Sequence, residues 1–160
     1  MLWSASALTE RVRQFLRPLI SRHGFTVAST GPSSMGDEEV QLDSEEFTVT
    51  INRDRGGSEW IVVGSKVRPK ARAPLRSYLL CRLIAFRNGS EPHPVRHRGL
   101  KAEARWLVDH ADLILDSALI NSEELRLWNA DAARVMFGQK PRGRRPRSGL
   151  IPPQPQTPRL

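Results

Sequence analysis

The stretch FTVTINRDRGGSEWIVVG, residues 47–64, decides the fold of this 160-residue chain. Its first half alternates apolar and polar side chains, a period of two that is typical of a strand with one buried and one solvated face. Its end, EWIVVG, is apolar on both faces and predicts a more central strand. Between the two, Gly56 and Gly57 permit the backbone conformations of a tight turn. The stretch therefore predicts a β-hairpin.

Two further strands are predicted before this hairpin. The segments FTVAS (residues 25–29) and EEVQLD (residues 38–43) alternate in the same way. The link DSEE after the second segment is short enough for another hairpin. The four strands are therefore expected to form an antiparallel meander.

Helices are predicted on both sides of the meander, because apolar residues recur there at intervals of three and four. The first helix spans residues 5–23, ends before Gly24 and is kinked at Pro18. The last helix begins with Asn121 and Glu124 in the spacing of a capping box. The three helices after the meander are predicted at residues 73–87, 99–120 and 121–138.

These elements predict an α+β fold: an N-terminal helix, a four-stranded antiparallel meander, and three C-terminal helices packed on one sheet face. They occupy residues 1–138, which we expect to form a single domain. Residues 139–160 are rich in proline and arginine and have too few apolar side chains to build a core. A disordered tail is therefore predicted there.

Two segments carry the formal net charge of +8. The tail holds six basic residues and no acid, residues 65–76 hold five, and the rest of the chain has 14 basic and 17 acidic residues. Binding to nucleic-acid phosphates would therefore use these two segments. The candidate residues for this alternative are Lys66, Arg68, Lys70, Arg72, Arg142, Arg144, Arg145 and Arg147. The tail lacks interleaved aromatic residues for base stacking, and a solubilising extension without a partner explains it at least as well.

Several classes of protein are disfavoured by the composition. No apolar run approaches the roughly 18 residues of a membrane span, and the N-terminus lacks the basic region of a signal peptide. The single cysteine, Cys81, cannot form an internal disulfide and lies among leucines, which favours a buried, unreactive thiol. We therefore expect a cytoplasmic protein that does not associate with membranes.

The sequence contains no recognisable catalytic or cofactor motif. His93 and His97 in PHPVRHR have the spacing of half a zinc site, but no cysteine or second histidine pair completes it. Polar loop residues are the favoured interpretation of both. We predict no catalytic, cofactor-binding or metal-binding residues, while a site assembled from distant residues, near Arg53, Arg55 and this histidine loop, stays open.

Candidate partner-binding residues lie in the hairpin turn and on the third predicted helix. A turn needs no arginine, so Arg53 and Arg55 are available either to pair with acids across the sheet or to meet a partner. The spacing of Asp109, Asp112 and Asp116 places them on one face of a continuous helix, with Glu103 nearby. Such an acidic stripe is usually a solvated face. A metal site or an acid–base pair is an alternative, and docking of a basic partner is the functional use that we favour.

The segments LRPLISRHGF (residues 16–25) and VTINRDRG (residues 49–56) resemble a group of small bacterial α+β proteins. That group is associated with the immunity proteins of toxin systems. The resemblance covers about residues 8–64, and SKVRPKARAPLRSYLL departs from the Trp-Tyr-Asp entry expected before the next helix. It implies a non-catalytic intracellular protein-binding module, in its most specific form an immunity-like inhibitor of a toxin. No catalytic residue is carried over from it.

Overall fold

A five-stranded antiparallel sheet forms the centre of the computed structural model, which describes residues 6–32 and 37–142. The strands lie side by side in sequence order. They are β1 Thr26–Pro32, β2 Glu38–Asp43, β3 Phe47–Arg53, β4 Glu59–Ser65 and β5 Ser77–Leu79. The α+β class and the four predicted strands of the meander are confirmed, and β5 is an addition.

The β3–β4 hairpin has the predicted alternation. Its register runs from Phe47 opposite Ser65 to Arg53 opposite Glu59. Four apolar side chains from the two strands are fully buried on one face: Val49, Ile51, Ile61 and Val63. At the turn, Gly57 has a φ of +85°, and its N–H donates to the Asp54 carbonyl at 3.0 Å. Glycine is favoured there because other residues rarely adopt this conformation.

Strand β5 lies where the sequence pattern predicts the start of a helix. Ser77–Leu79 pairs with residues 62–64 of β4, and the Tyr78 side chain is buried. A Cβ at Gly64 would lie 2.7 Å from Thr48 Oγ1 and 3.2 Å from Ser77 Cβ, so only glycine fits between the neighbouring strands. Residues 77–79 thus pair with the free edge of β4. The helix predicted at residues 73–87 begins only at Leu80.

The N-terminal helix is two helices, α1 Ala7–Phe15 and α2 Arg17–Arg22, and not one kinked helix. The chain leaves helical geometry at Leu16, and Pro18 lies in the first turn of α2, where a missing N–H has no cost. The predicted apolar stripe nevertheless continues across the break. Its members Leu8, Val12, Leu16 and Leu19 are completely buried.

Five helices follow the sheet within the described residues, in place of the three predicted. They are α3 Leu80–Arg87, α4 Leu100–Asp109, α5 Ala111–Ile114, α6 Ser117–Ile120 and α7 Glu123–Met136. The helix predicted at residues 99–120 is interrupted at His110 and again at residues 115–116. The cap of α7 is Ser122, whose Oγ accepts the N–H of Leu125 at 3.2 Å, and not Asn121. None of the described helices has the length and apolar composition to cross a bilayer.

The helices and one sheet face enclose a single large apolar core. Burial of each leucine or isoleucine in it contributes about 1.5–3 kcal/mol. A smaller cluster of Ala85, Trp128 and Ala132 joins α3 to α7. The Trp128 Nε1–H donates to the Ser90 carbonyl at 2.8 Å, which anchors the loop at residues 88–99. This loop carries both histidines discussed above.

Candidate functional site at the hairpin end of the sheet

A buried carboxylate organises the turn end of the β3–β4 hairpin. Glu59 is 6% exposed and accepts hydrogen bonds from Arg53 Nε at 3.0 Å and Arg53 Nη2 at 2.7 Å. Arg11 of α1 also donates to this carboxylate, and Arg53 lies 3.9 Å from a carboxylate oxygen of Glu38. Of the two uses left open for Arg53, the structure shows pairing with acids across the sheet.

Arg55 differs from Arg53 although both lie in the same turn region. Its side chain is exposed and makes no hydrogen bond or ion pair with any residue that the structure describes. It lines a cavity of about 400 Å³ that contains both charges: Arg11 and Arg53 on the basic side, and Asp37, Glu38, Asp54 and Glu59 on the acidic side. Arg55 is therefore available to an external group.

A second cavity of about 290 Å³ adjoins the first, since Arg11, Gly57 and Glu59 line both. Arg98 and Lys101 lie in its wall, and both are exposed and form no ion pair within the described part of the chain, although the Arg98 charge acts on Glu103. We refer to Arg55, Arg98 and Lys101 as the basic rim. A rim of unpaired cations attracts an anionic group.

The predicted acidic stripe is not the face of one helix. Asp109 ends α4, Asp112 lies in α5, and Asp116 caps α6 by accepting the Ala118 N–H at 2.9 Å. All three are exposed, but the breaks in the helix remove the shared face that the spacing predicts. Glu103, expected near the stripe, is instead buried.

Half of the basic residues proposed for nucleic-acid contact at residues 65–76 have partners within the chain. Lys66 lies 3.4 Å from a carboxylate oxygen of Asp43, and Arg68 donates to the Ala73 carbonyl at 2.6 Å. Lys70 and Arg72 are exposed without a hydrogen bond or ion pair to a described residue.

Only the start of the predicted tail belongs to the described structure. The Arg142 N–H donates to Asp131 Oδ1 of α7 at 3.0 Å, and Arg134 Nε of the same helix donates to the Lys140 carbonyl at 3.0 Å. Residues 139–142 therefore lie against α7. The remaining candidates Arg144, Arg145 and Arg147 lie outside the described residues.

Three potential metal-binding side chains converge beside the second cavity. Cys81 lies in the first turn of α3, Glu103 in the first turn of α4, and His97 in the loop between them. Cys81 Sγ is 3.8 Å from His97 Nδ1, and the ligand atoms of all three residues lie within 4.8 Å of one another. The His97 ring stacks on Trp60 with ring centroids 5.3 Å apart, which fixes its orientation. His97 also lines the second cavity.

Burial shifts the pKa of each member of this cluster towards its neutral form. It raises the pKa of Glu103 to about 7, with the nearby Arg98 opposing the shift. It also raises the pKa of Cys81, to which the Glu103 charge adds, and it lowers the pKa of His97, to which the Arg82 charge adds. Neither carboxylate oxygen of Glu103 has a hydrogen bond of normal geometry with a described residue, but the Arg98 backbone N–H acts on the carboxylate and opposes the shift. Cys81 and Glu103 are thus buried, and His97 joins them to the exposed surface.

The sequence did not predict this cluster. His93 and His97, which have zinc-like spacing, do not belong to one cluster. His93 Nδ1 donates to the Glu91 carbonyl at 2.7 Å, and the His93 ring lies edge-on to Trp128. His97 instead meets Cys81, which is 16 residues away in sequence. The available signal was only the presence of Cys81, His97 and Glu103 close together in the sequence, since the start of α3 at Leu80 was not predicted.

Known proteins do not identify this site. Comparison of the chain with protein-family models, with curated proteins and with solved structures found no match. The resemblance of residues 8–64 to immunity-like bacterial proteins therefore stays a prediction.

Proposed function

We propose that the chain is a non-catalytic protein-binding module that docks an acidic surface of a partner on the basic rim. The observation that carries this proposal is the placement of Arg55, Arg98 and Lys101. All three are exposed, line adjoining cavities and form no ion pair with a described residue, although the Arg98 charge acts on the buried Glu103. Charged rims of this kind accelerate association and select partners of opposite charge.

The part of the rim that carries Arg55 is tied to its surroundings by ion pairs. Arg53 and Arg11 are both bonded to the buried Glu59, so the hairpin end is tied to α1 as well as to the sheet. A surface that is already ordered loses less conformational entropy on binding. The internal ion pairs therefore act as scaffold, and Arg55 is the arginine of the turn that we assign to the partner.

In its most specific form, the proposal is an immunity-like inhibitor that binds a protein toxin in the cytoplasm. The resemblance of residues 8–64 supports this choice of partner class. The first protein to test is the product of a neighbouring gene that has the features of a toxin. Its contact surface is expected to be acidic, because the rim is basic.

The proposal is tested with a charge-reversed rim and a matched control. The rim variant is Arg55→Glu/Arg98→Glu/Lys101→Glu. The control is Arg13→Glu/Arg17→Glu/Arg105→Glu, which changes the charge equally at exposed positions away from the two cavities. We expect the wild type and the control to bind the neighbouring gene product, and the rim variant to bind at least tenfold more weakly, about 1.4 kcal/mol. Equal binding by all three proteins, or no binding by the wild type, would contradict the proposal.

A nucleic-acid-associated accessory role is the second candidate. It is supported by Lys70 and Arg72, which are exposed and unpaired within the described residues. We expect a labelled single-stranded DNA or RNA to be retained at low salt by the full chain, and to be lost on truncation after Gly138 combined with Lys70→Gln/Arg72→Gln. Failure of the full chain to bind either nucleic acid at low salt removes this candidate.

A further inference from the structure

We propose that Cys81, His97 and Glu103 form a binding site for one zinc-class divalent transition metal, with a fourth coordination position left to water or an anion. The three residues come from the start of α3, the loop at residues 88–99 and the start of α4. The proposal is independent of partner binding at the basic rim.

The separation of the thiol and the imidazole is close to that of tetrahedral coordination. With a metal–sulfur distance of about 2.3 Å and a metal–nitrogen distance of about 2.0 Å, the two ligand atoms of a tetrahedral site are about 3.5 Å apart. Cys81 Sγ and His97 Nδ1 are 3.8 Å apart. The Glu103 carboxylate completes a group whose ligand atoms all lie within 4.8 Å of one another. Small side-chain adjustments would bring all three onto one ion.

The carboxylate of Glu103 is the second, independent observation. The residue is 1% exposed, and neither of its oxygens has a hydrogen bond of normal geometry with a described residue, although the Arg98 backbone N–H and charge act on the carboxylate. A buried carboxylate without a partner is rare in proteins because its desolvation is uncompensated. Coordination to a cation supplies a stronger interaction than Arg98 does, since burial still raises the pKa of Glu103 to about 7.

The donor set selects the type of metal. Mg²⁺ and Ca²⁺ prefer oxygen ligands, whereas thiolate and imidazole together favour Zn²⁺ and its spectroscopic substitute Co²⁺. Three protein ligands with one further position are typical of zinc sites that bind an exchangeable ligand. The adjoining cavity supports such exchange, because His97 lies in its wall with Arg98 and Lys101, two side chains that attract anions.

The surroundings hold the ligands in place. The His97 ring is stacked on Trp60, at an interplanar angle of 22°. Cys81 and Glu103 each lie in the first turn of a helix that packs in the core. Fixed ligand orientation increases metal affinity because less freedom is lost on binding.

A cysteine nucleophile activated by His97 is the competing interpretation. Glu103 makes no hydrogen bond to His97, so it does not orient the imidazole as a third member of a triad would. Cys81 is also only 3% exposed, which restricts access of a substrate to the sulfur. The arrangement suits an ion better than a covalent reaction.

Titration of the full-length chain, purified without a histidine tag, with Zn²⁺ and Co²⁺ tests the site. We expect one equivalent of each metal to bind, and bound Co²⁺ to show the absorption of a cobalt–thiolate bond. Cys81 is the only cysteine of the chain, so protection of the thiol from alkylation by Zn²⁺ reports on this residue alone. Absence of the thiolate band, or rapid alkylation of Cys81 that Zn²⁺ does not slow, would overturn the proposal.

Ligand variants and a matched histidine control complete the test. Cys81→Ser, His97→Asn and Glu103→Gln should each weaken Zn²⁺ binding at least about 100-fold, more than the loss of a supporting residue outside the coordination sphere. His93→Asn should bind as the wild type does, because His93 contacts the Glu91 carbonyl instead. Unfolding curves show whether each variant is folded. Wild-type affinity in folded Glu103→Gln or His97→Asn would overturn the assignment.

Discussion

Two buried glutamates at the same end of the molecule have opposite surroundings. Glu59 is 6% exposed and receives hydrogen bonds from Arg53 and Arg11, whereas Glu103 is 1% exposed and receives none from the described residues. The first carboxylate is compensated by the fold itself, and its role is structural. The second lies beside a thiol and an imidazole, and Arg98 compensates it only in part, since its pKa is still raised to about 7. The comparison teaches that the partners of a buried charge indicate its role better than its burial does.

The largest expected effect is on stability, from removing the compensated carboxylate. Glu59→Ala leaves Arg53 and Arg11 without their shared acceptor. We expect the free energy of unfolding to fall by about 3 kcal/mol, at the low end for a broken buried pair because both guanidinium groups reach solvent. Urea denaturation measures the change. A loss below about 1 kcal/mol would show that Glu59 and Glu103 do not differ in the way described.

In metal-free protein, ionised Glu103 is expected to destabilise the fold, whereas Glu59 stabilises it. The pKa of Glu103 is raised from its ordinary 4.5 to about 7 in the folded state. Its favourable contribution is therefore fully present below pH 4.5 and is lost as the pH rises through 7. Relative to Glu103→Gln, the wild type should lose up to about 3 kcal/mol of stability between pH 5 and pH 8. Parallel pH dependences of the two proteins would contradict this expectation.

Zn²⁺ should remove the loss of stability that the wild type shows relative to Glu103→Gln at high pH. A ligand that binds the folded state at 100 times its Kd stabilises the protein by about 2.7 kcal/mol. We expect this gain for the wild type and for His93→Asn, and little or none for Glu103→Gln. Thermal unfolding with Zn²⁺ and with a chelator provides the measurement. Equal stabilisation of wild type and Glu103→Gln would place the metal elsewhere.

The smallest effect on the free energy of unfolding is expected for substitution of Arg55. Arg53→Ala should destabilise the fold by about 1–3 kcal/mol, because it removes a charged donor from Glu59. Arg55→Ala should lie within about 0.5 kcal/mol of the wild type, since the side chain is exposed and unpaired among the described residues. The two substitutions form a matched pair for urea denaturation. A destabilisation by Arg55→Ala as large as that of Arg53→Ala would remove the distinction between scaffold and rim.

The sequence by itself determined the features that depend on neighbouring residues. The alternation at residues 47–53 and the glycines of RDRGG specify the hairpin, because side-chain period and turn conformation are local properties. The apolar stripe at residues 8–19 is equally local, and so its burial was predictable although the helix breaks at Leu16.

Only the tertiary structure decided the features that depend on distant residues. Residues 77–79 form a strand because the edge of β4 offers hydrogen bonds, which outweigh a helical pattern in the sequence. The breaks at His110 and at residues 115–116 likewise separate aspartates that a continuous helix would align. The meeting of Cys81, His97 and Glu103 depends on how α3, α4 and their connecting loop pack, and no local spacing encodes that packing.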